Sequence, residues 1–397
     1  MTVESQHPVQ RLPGEWREWL TARGERGFRG DQIFAWIHKR GVLDPEQMSN
    51  LPKNLRRELT AAGLADPLRL SHVHPSEDGT SKLLLRLADE SAIETVLLPA
   101  SARVHDADAA AAAEDEDEDD AAAAAEDESA SPEASTLPRI AVTQCISSQV
   151  GCAMGCVFCA SGIAGLKRHL SAAEIIAQVI AGRRALPPQQ HLRNVVFMGM
   201  GEPLHNFEAT VRAIELMIHP DGLGLAARRI TVSTSGLVPE IDRLGAHFEG
   251  RIGLAISLHQ ADDAKRSALM PINDRYPLKA LMASLRRYPL RRRRNITIEY
   301  TLVAGHNDSV EDARALSSLL SKLRVKVNLI PMNPIAHSDL GPPTDRQVSR
   351  FQAVLRDAGL LCFVRRRRGD DVSAACGQLA LEGAEPNVRF LRSQPKE

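Results

Sequence analysis

Between residues 138 and 364 the chain alternates short apolar runs with longer stretches whose apolar positions recur every three or four residues. The runs "RIAVTQC", "NVVFMGM", "RITVSTSG", "RIGLAISLH", "ITIEYTLV" and "VKVNLIPMN" predict strands. The stretch "SAAEIIAQVIAGRRAL" predicts a helix, because Ser171 and Glu174 have capping-box spacing ahead of an apolar face. A second helix is predicted at "EDARALSSLLSKL". Near-continuous apolar strands joined by helical crossovers predict a parallel α/β sheet, as a full or partial barrel. Residues 1–66 instead read as a small helical module: "GDQIFAWIHKRG" puts Ile33, Phe34, Trp36 and Ile37 on one face, and "NLPKNLRRELTAAG" follows. From Leu68 to Leu98 the pattern shortens to the strands "KLLLRL" and "AIETVLLP" around "ADES".

Composition changes this picture at one place. Residues 101–137 hold 13 acidic residues and one arginine, with almost no large apolar side chain, so the tract is expected to be a disordered surface insertion. The net charge of −1 is therefore misleading. Outside the tract lie 37 of the 50 acids and 48 of the 49 lysines and arginines, a body of about +11. With arginine runs at Arg291–Arg294 and Arg365–Arg368, such a body attracts a polyanion, nucleic acid above all. The first residues lack an apolar signal region, and no stretch of about 18 uncharged apolar residues follows. Six closely spaced cysteines in such a chain suggest metal binding or catalysis in the cytoplasm, not a disulfide scaffold.

Site chemistry is expected at the C-terminal ends of the strands, which read "GMGEPLHN", "STSG", "SLH" and "PMNP". The stretch "CISSQVGCAMGCVFCASG" contributes Cys145, Cys152, Cys156 and Cys159. Three thiolates from the Cys152–Cys159 loop suit a four-iron cluster that leaves one iron open to a substrate. They also suit three corners of a zinc site, with Cys145 as a fourth ligand. "GLGLAA" at Gly222–Ala227 precedes a strand instead of following one, which excludes a dinucleotide fingerprint. Cys362 in "LLCFV" reads as a small core residue.

The CxxxCxxC loop resembles that of the radical S-adenosylmethionine (SAM) enzymes. "CISSQVGC", "FMGMGEPLHN", "ITVSTSG", "AISLH", "NLIPMNP" and "RGDDVSAACGQLA" occur in the order seen in RlmN-type methyltransferases. The resemblance runs from about residue 20 to residue 382, apart from the acidic tract. It implies a partial (β/α)6-type radical SAM barrel over 138–382, behind an RNA-binding helical domain over 1–66 and a β extension over 67–100. A tail over 383–397 completes the chain.

The implied activity is methylation of carbon 2 of adenine in 23S ribosomal RNA and in tRNA. It needs one 4Fe–4S cluster on Cys152, Cys156 and Cys159, and two SAM molecules per turnover. Carbon 2 is electron-poor and does not attack the electrophilic methyl of SAM. The family therefore methylates a protein cysteine, matched here by Cys376, and an adenosyl radical takes hydrogen from that S-methyl group. The carbon radical adds to the base, Glu94 accepts the carbon-2 proton, and a second thiol, Cys145, releases the product by forming a disulfide. Gly201, Glu202, Ser233, Ser257, Leu258, His259 and Asn333 match the family's SAM contacts. The implied partners are the RNA substrates and a low-potential electron donor such as flavodoxin or ferredoxin. A monomer with no membrane association is expected. The rivals are a Cfr-type carbon-8 methyltransferase and a zinc-bearing RNA-binding protein without catalysis.

Overall fold

The computed structural model describes residues 6–100, 139–335, 338–365 and 367–379. The acidic tract over 101–137 and the tail over 383–397 lie outside the described residues. A ten-stranded sheet organises the molecule. Its strands in chain order are β1 Leu68–Pro75, β2 Ser81–Leu87, β3 Ala92–Pro99, β4 Ile140–Cys145, β7 Gln190–Phe197, β8 Ile230–Thr234, β9 Gly253–Ser257, β10 Ile296–Leu302, β11 Val325–Pro331 and β12 Leu361–Val364. A separate two-stranded ladder joins β5 Gln149–Val150 to β6 Arg168–His169. From β4 to β12 every neighbour is parallel, whereas β1 to β4 pair antiparallel. The chain thus forms a partial parallel barrel extended on one side by an antiparallel meander.

Strand alternation decides which side chains face the interior. On β10, Ile296, Ile298, Tyr300 and Leu302 are buried in the main apolar core, while Thr297, Glu299 and Thr301 line internal cavities. On β11, Val327 and Leu329 join that core, and Lys326, Asn328 and Ile330 face the interior. The strands look almost uniformly apolar in sequence, yet the barrel lumen mixes apolar residues such as Val96, Val196 and Met198 with polar ones. The periodicity predicts neither β1 nor β12 of this sheet: β1 is mostly exposed and mixes polar with apolar residues, and the four residues of β12 are too few to show an alternation.

Ser171 caps the helix Ala172–Ala185 through the expected box, its hydroxyl accepting from the Glu174 amide at 3.2 Å. This helix carries the N-terminal module. Ile33, Phe34, Ile37, Leu55 and Leu59 belong to the same continuous core as Ile176 and Ile180. Arg212 also reaches across to Glu15 at 2.7 Å. Trp36 departs from the expected face. The helix Arg29–Phe34 passes into a wider turn at Ala35–Lys39, and Trp36 is only partly buried beneath the Arg40 guanidinium, 4.1 Å from its ring.

The acidic tract connects two adjacent strands. Val96 pairs with Cys145 and Pro99 with Val142, and the Ala100 amide donates to the Ala141 carbonyl at 2.7 Å. The two chain ends that flank the tract are therefore held together without it. Replacing residues 102–137 with a short glycine-containing turn should leave the melting temperature equal or higher, because a shorter connection costs less closure entropy. A fall of more than a few degrees in a thermal melt would show that the tract supports the fold.

Candidate active site

The cysteine loop is fixed at its base before its thiols are placed. Val150 pairs with Arg168, and the Lys167 amide donates to Val150 at 2.9 Å. Gly151 has φ +76°, and a Cβ there would lie 1.8 Å from the Gly165 carbonyl oxygen, so only glycine fits this crossing. Beyond it, Cys152 donates its amide to Gly165 and Cys159 donates to Cys156. Cys152, Cys156 and Cys159 all line one cavity of about 170 Å³. Burial pushes all three thiols above their ordinary range, and the charges of neighbouring thiolates add to the rise for Cys152 and Cys156. Such a set is unfavourable as bare thiolates and favourable around a cationic cluster. Among the described residues, no three Cys, His, Asp or Glu side chains gather round the position of a single ion. The thiols are instead spread over a cavity wall, which suits a cluster with several iron corners.

The same cavity is lined by Gly201, Glu202, Ser233, Ser257, His259 and Asn333. Glu202 is buried and accepts from the amide and hydroxyl of Ser235 at 2.8 and 2.9 Å. His259 has φ +58° and accepts at Nδ1 from the Thr301 amide at 2.9 Å. Burial and then the Arg266 charge depress it to about 3. The ring is therefore neutral, with its proton on Nε2 as the remaining donor. Asn333 donates Nδ2 to the Cys376 carbonyl at 2.9 Å, and its buried Oδ1 has no partner. A buried amide oxygen without a donor fits a site that awaits a polar ligand. These residues fit SAM beside the thiols. Leu258 does not line the cavity: it is fully buried, and it contributes backbone groups to Glu299 and Arg266.

Cys376 lines this cavity and also a second one, of about 570 Å³, that runs down the barrel lumen. Cys145 lines only the second. Cys376 is exposed to solvent through these cavities, although protein atoms crowd its surroundings. Burial and then the Glu299 carboxylate push it up to about 11. Burial and then the charge of Cys376 raise Cys145. Cys145 and Cys376 thus line the same lumen, and Cys145 is absent from the lining of the cavity that holds the three loop thiols. Glu94 lines neither cavity. It is buried and paired with Lys82 at 2.8 Å, two residues along β3 from Val96, which does line the lumen. Cys362 is buried in the core, as expected.

Two important residues escape the sequence reading. Glu299 lines both cavities and accepts from Asn328 at 2.8 Å. The signal was a carboxylate in the middle of "ITIEYTLV". Arg266 is fully buried and donates to the carbonyls of Leu258, Ser235 and Ser257 at 3.0, 2.7 and 3.2 Å, and to Asn273 at 2.9 Å. It clamps two strand-end loops beneath the cysteine cavity, and no local motif marks it.

A partial parallel barrel with three thiols on the first strand–helix loop and polar strand ends beside them defines a radical SAM enzyme. The Radical SAM superfamily model matches residues 146–316, and the model for the ribosomal RNA large subunit methyltransferase N-terminal domain matches residues 13–63. The chain is 65% identical to the dual-specificity RNA methyltransferase RlmN of Sorangium cellulosum, over 96% of this chain and 97% of that protein. It is 42% identical to the RlmN of Syntrophobacter fumaroxidans, over 93% and 96%. A crystal structure of a radical SAM methyltransferase from Sphaerobacter thermophilus superposes with a TM-score of 0.81 at 40% identity, covering 96% of this chain and all of that one. The chain belongs to the RlmN family of radical SAM RNA methyltransferases, enzymes that use a 4Fe–4S cluster and SAM.

Two measurements test the site. Alanine at Cys152, Cys156 or Cys159 should abolish bound iron, whereas Cys145→Ala should keep it, as read by iron analysis and visible absorbance. Iron loss in Cys145→Ala equal to that in the loop variants would place Cys145 on the metal. Arg266→Met leaves four buried acceptors without their donor, and should cost about 3 kcal/mol or more in denaturant unfolding. A change below about 0.5 kcal/mol would remove Arg266 from the role of clamp.

Proposed function

We propose that this chain methylates carbon 2 of an adenine in large-subunit ribosomal RNA and in tRNA, with Cys376 as the one-carbon carrier and Cys145 as the releasing thiol. One observation supports the reading: Cys376 borders both the cysteine-loop cavity and the lumen, and Cys145 lines the same lumen. When bound to Cys152, Cys156 and Cys159, the cluster, together with SAM, would supply an electrophilic methyl group and an adenosyl radical. Gly201, Glu202, Ser233, Ser257, His259 and Asn333 would hold SAM against it. The backbone of Leu258, through Arg266, would keep these contacts in place.

Cys376 must lose its proton before it takes the methyl group, since the thiolate is the nucleophile. Its thiol is protonated at neutral pH, and the positive charge of Arg365 favours the thiolate. Once the carbon on Cys376 is joined to the base, Glu94 is the proposed acceptor for the carbon-2 proton, with Lys82 keeping its carboxylate in place. With that proton the adduct also gives up its odd electron to a one-electron acceptor. The Cys145 thiolate then attacks the Cys376 sulfur, and the electron pair of the carbon–sulfur bond leaves with the product carbon. That carbon takes up a proton to become the methyl group, and a disulfide remains. Two electrons and two protons from a thiol reductant restore both thiols. A low-potential donor such as flavodoxin or ferredoxin would deliver the single electron for SAM cleavage. All six cysteines are free thiols, which suits the reducing cytoplasm.

The test uses RNA and protein from cells with and without the gene. Mass spectrometry should find 2-methyladenosine only where the protein is present. Methyl at carbon 8 would transfer the reading to the Cfr-type activity, and no methyl difference would leave a binding protein. In the same cells Cys145→Ala should carry covalently bound RNA through a denaturing gel, and Cys376→Ala should not. Turnover by Cys145→Ala without any adduct would make Cys145 a structural thiol.

A further inference from the structure

The loops entering three consecutive strands meet at the end of the barrel opposite the cysteine loop. The short helix Ala227–Arg229 leads into β8, Gly250 and Arg251 precede β9, and Arg291–Arg294 precede β10. Two of these loops are in backbone contact. Gly250 has φ +67°, and a Cβ there would lie 1.9 Å from the Pro289 carbonyl oxygen. The segment after Pro289 is itself turned back, with the Arg294 amide donating to the Arg291 carbonyl at 3.2 Å and Arg293 at φ +62°. As a result, Arg228, Arg251, Arg291, Arg292, Arg293 and Arg294 wall one cavity of about 630 Å³ that no carboxylate lines. Six arginines around one concave space make it strongly positive, and an anion there lowers that charge; Arg251 also donates Nε to the Phe248 carbonyl at 3.1 Å.

Arg228 also lines the lumen that ends at Cys145 and Cys376. The basic cavity therefore adjoins the end of the lumen where Arg229, Thr231, Thr297 and Lys326 lie. The other end of Cys376 is covered by the cysteine loop, since the Ala160 amide donates to the Gly377 carbonyl at 2.8 Å. We propose that the arginine-walled cavity binds backbone phosphates of the RNA flanking the target nucleotide. The RNA then approaches from the end of the barrel where the strands begin. Planar guanidinium forks suit phosphate oxygens, and an adenine inside the lumen leaves its neighbouring phosphates outside the mouth. The inference rests on the reading of the chain as an RNA methyltransferase, and it names the surface that reading lacks.

The test measures binding of the full-length protein to an RNA hairpin with an unpaired loop adenosine, by fluorescence anisotropy over a range of salt. Replacing Arg291, Arg292 and Arg293 with Ala should raise Kd roughly tenfold or more near 0.1 M salt. The slope of log K against log salt should become shallower by about 2 to 3, one released counterion or slightly less for each lost phosphate contact. Ala at Arg314, Arg346 and Arg350, exposed on other helices, removes equal charge as a control and should change Kd less than twofold. An unchanged Kd and slope, or equal losses in both triple variants, would overturn the proposal. So would tighter RNA binding by the first variant, which would assign the cavity to an anionic segment of this chain. If the triple variant melts early, the single Arg292→Glu takes its place in the same comparison. Failure of the wider reading shows separately, as wild-type protein that binds the hairpin but leaves no methyl on RNA in cells.

Discussion

The chemistry of this molecule depends on one backbone segment, Gly369–Leu379, being held between two cavities. It is fastened at both ends. On the cluster side, Gly377 and Leu379 accept from the Ala160 amide and the Ser161 hydroxyl, at 2.8 and 2.6 Å, while Asn333 donates to the Cys376 carbonyl. On the other side, the Gly369 amide donates to Asp78, and Asp371 accepts from the Ser76 hydroxyl in the β1–β2 turn. Arg368 adds a hydrogen bond to the Pro99 carbonyl at 2.6 Å. Burial pushes Asp78 up, but hydrogen bonds from Thr80, Gly369 and Ser76 outweigh it and hold it at about 2. A depressed carboxylate contributes its stabilisation above the ordinary 3.8 and loses it only as pH falls toward 2. At neutral pH this latch is therefore fully charged.

The latch also explains why the barrel can afford an open interior. β12 and β1 are the two edges of the sheet and do not pair with each other. Residues 367–379 lead from the β12 edge to the β1–β2 turn and cover the gap with side-chain and loop contacts instead of a ladder. The two edges are thus bridged by a few contacts, and no ladder fixes the distance between them. Here the interior keeps a cavity of about 570 Å³ with Thr143, Asn194, Glu299 and Asn328 on its walls. Asn328 Oδ1 has no partner there. Apolar walls from Val96, Leu98, Val196 and Met198 with a few polar groups suit a flat ligand that has both apolar faces and polar edges.

Much of this was legible in the chain. Six parallel strands, the capped helix Ala172–Ala185 and the helical module were visible as periodicity, because each is long enough to show its repeat. The four-residue β12 and the turn that rotates Trp36 out of the core were not. In the site, the residues that sit in short ordered motifs converge: the three loop cysteines, Gly201, Glu202, Ser233, Ser257, His259, Asn333 and Cys376 share one cavity. Leu258 belonged to such a motif but points elsewhere, since adjacent strand residues face opposite ways. Arg266 and Glu299 act through contacts distant in sequence, which no local pattern encodes. Glu94 falls between these cases: its motif is clear, yet its side chain pairs with Lys82 beside the lumen.

Charge is distributed along the barrel axis in a way its near-zero total conceals. At the C-terminal strand ends, Arg266 is buried, donates to backbone carbonyls and favours the thiolate of Cys156, while Arg365, Arg367 and Arg368 follow β12 and line the lumen. At the opposite end, arginines are numerous, partly exposed and grouped around an empty concavity. A small zwitterionic sulfonium ligand needs hydrogen-bond donors and one or two placed charges. A polyanion needs many mobile cations over a wide surface. Under the proposed function the two ligands make different electrostatic demands and would reach Cys376 from different cavities, the methyl donor from the cysteine-loop cavity and the RNA from the lumen, because Cys376 lines both.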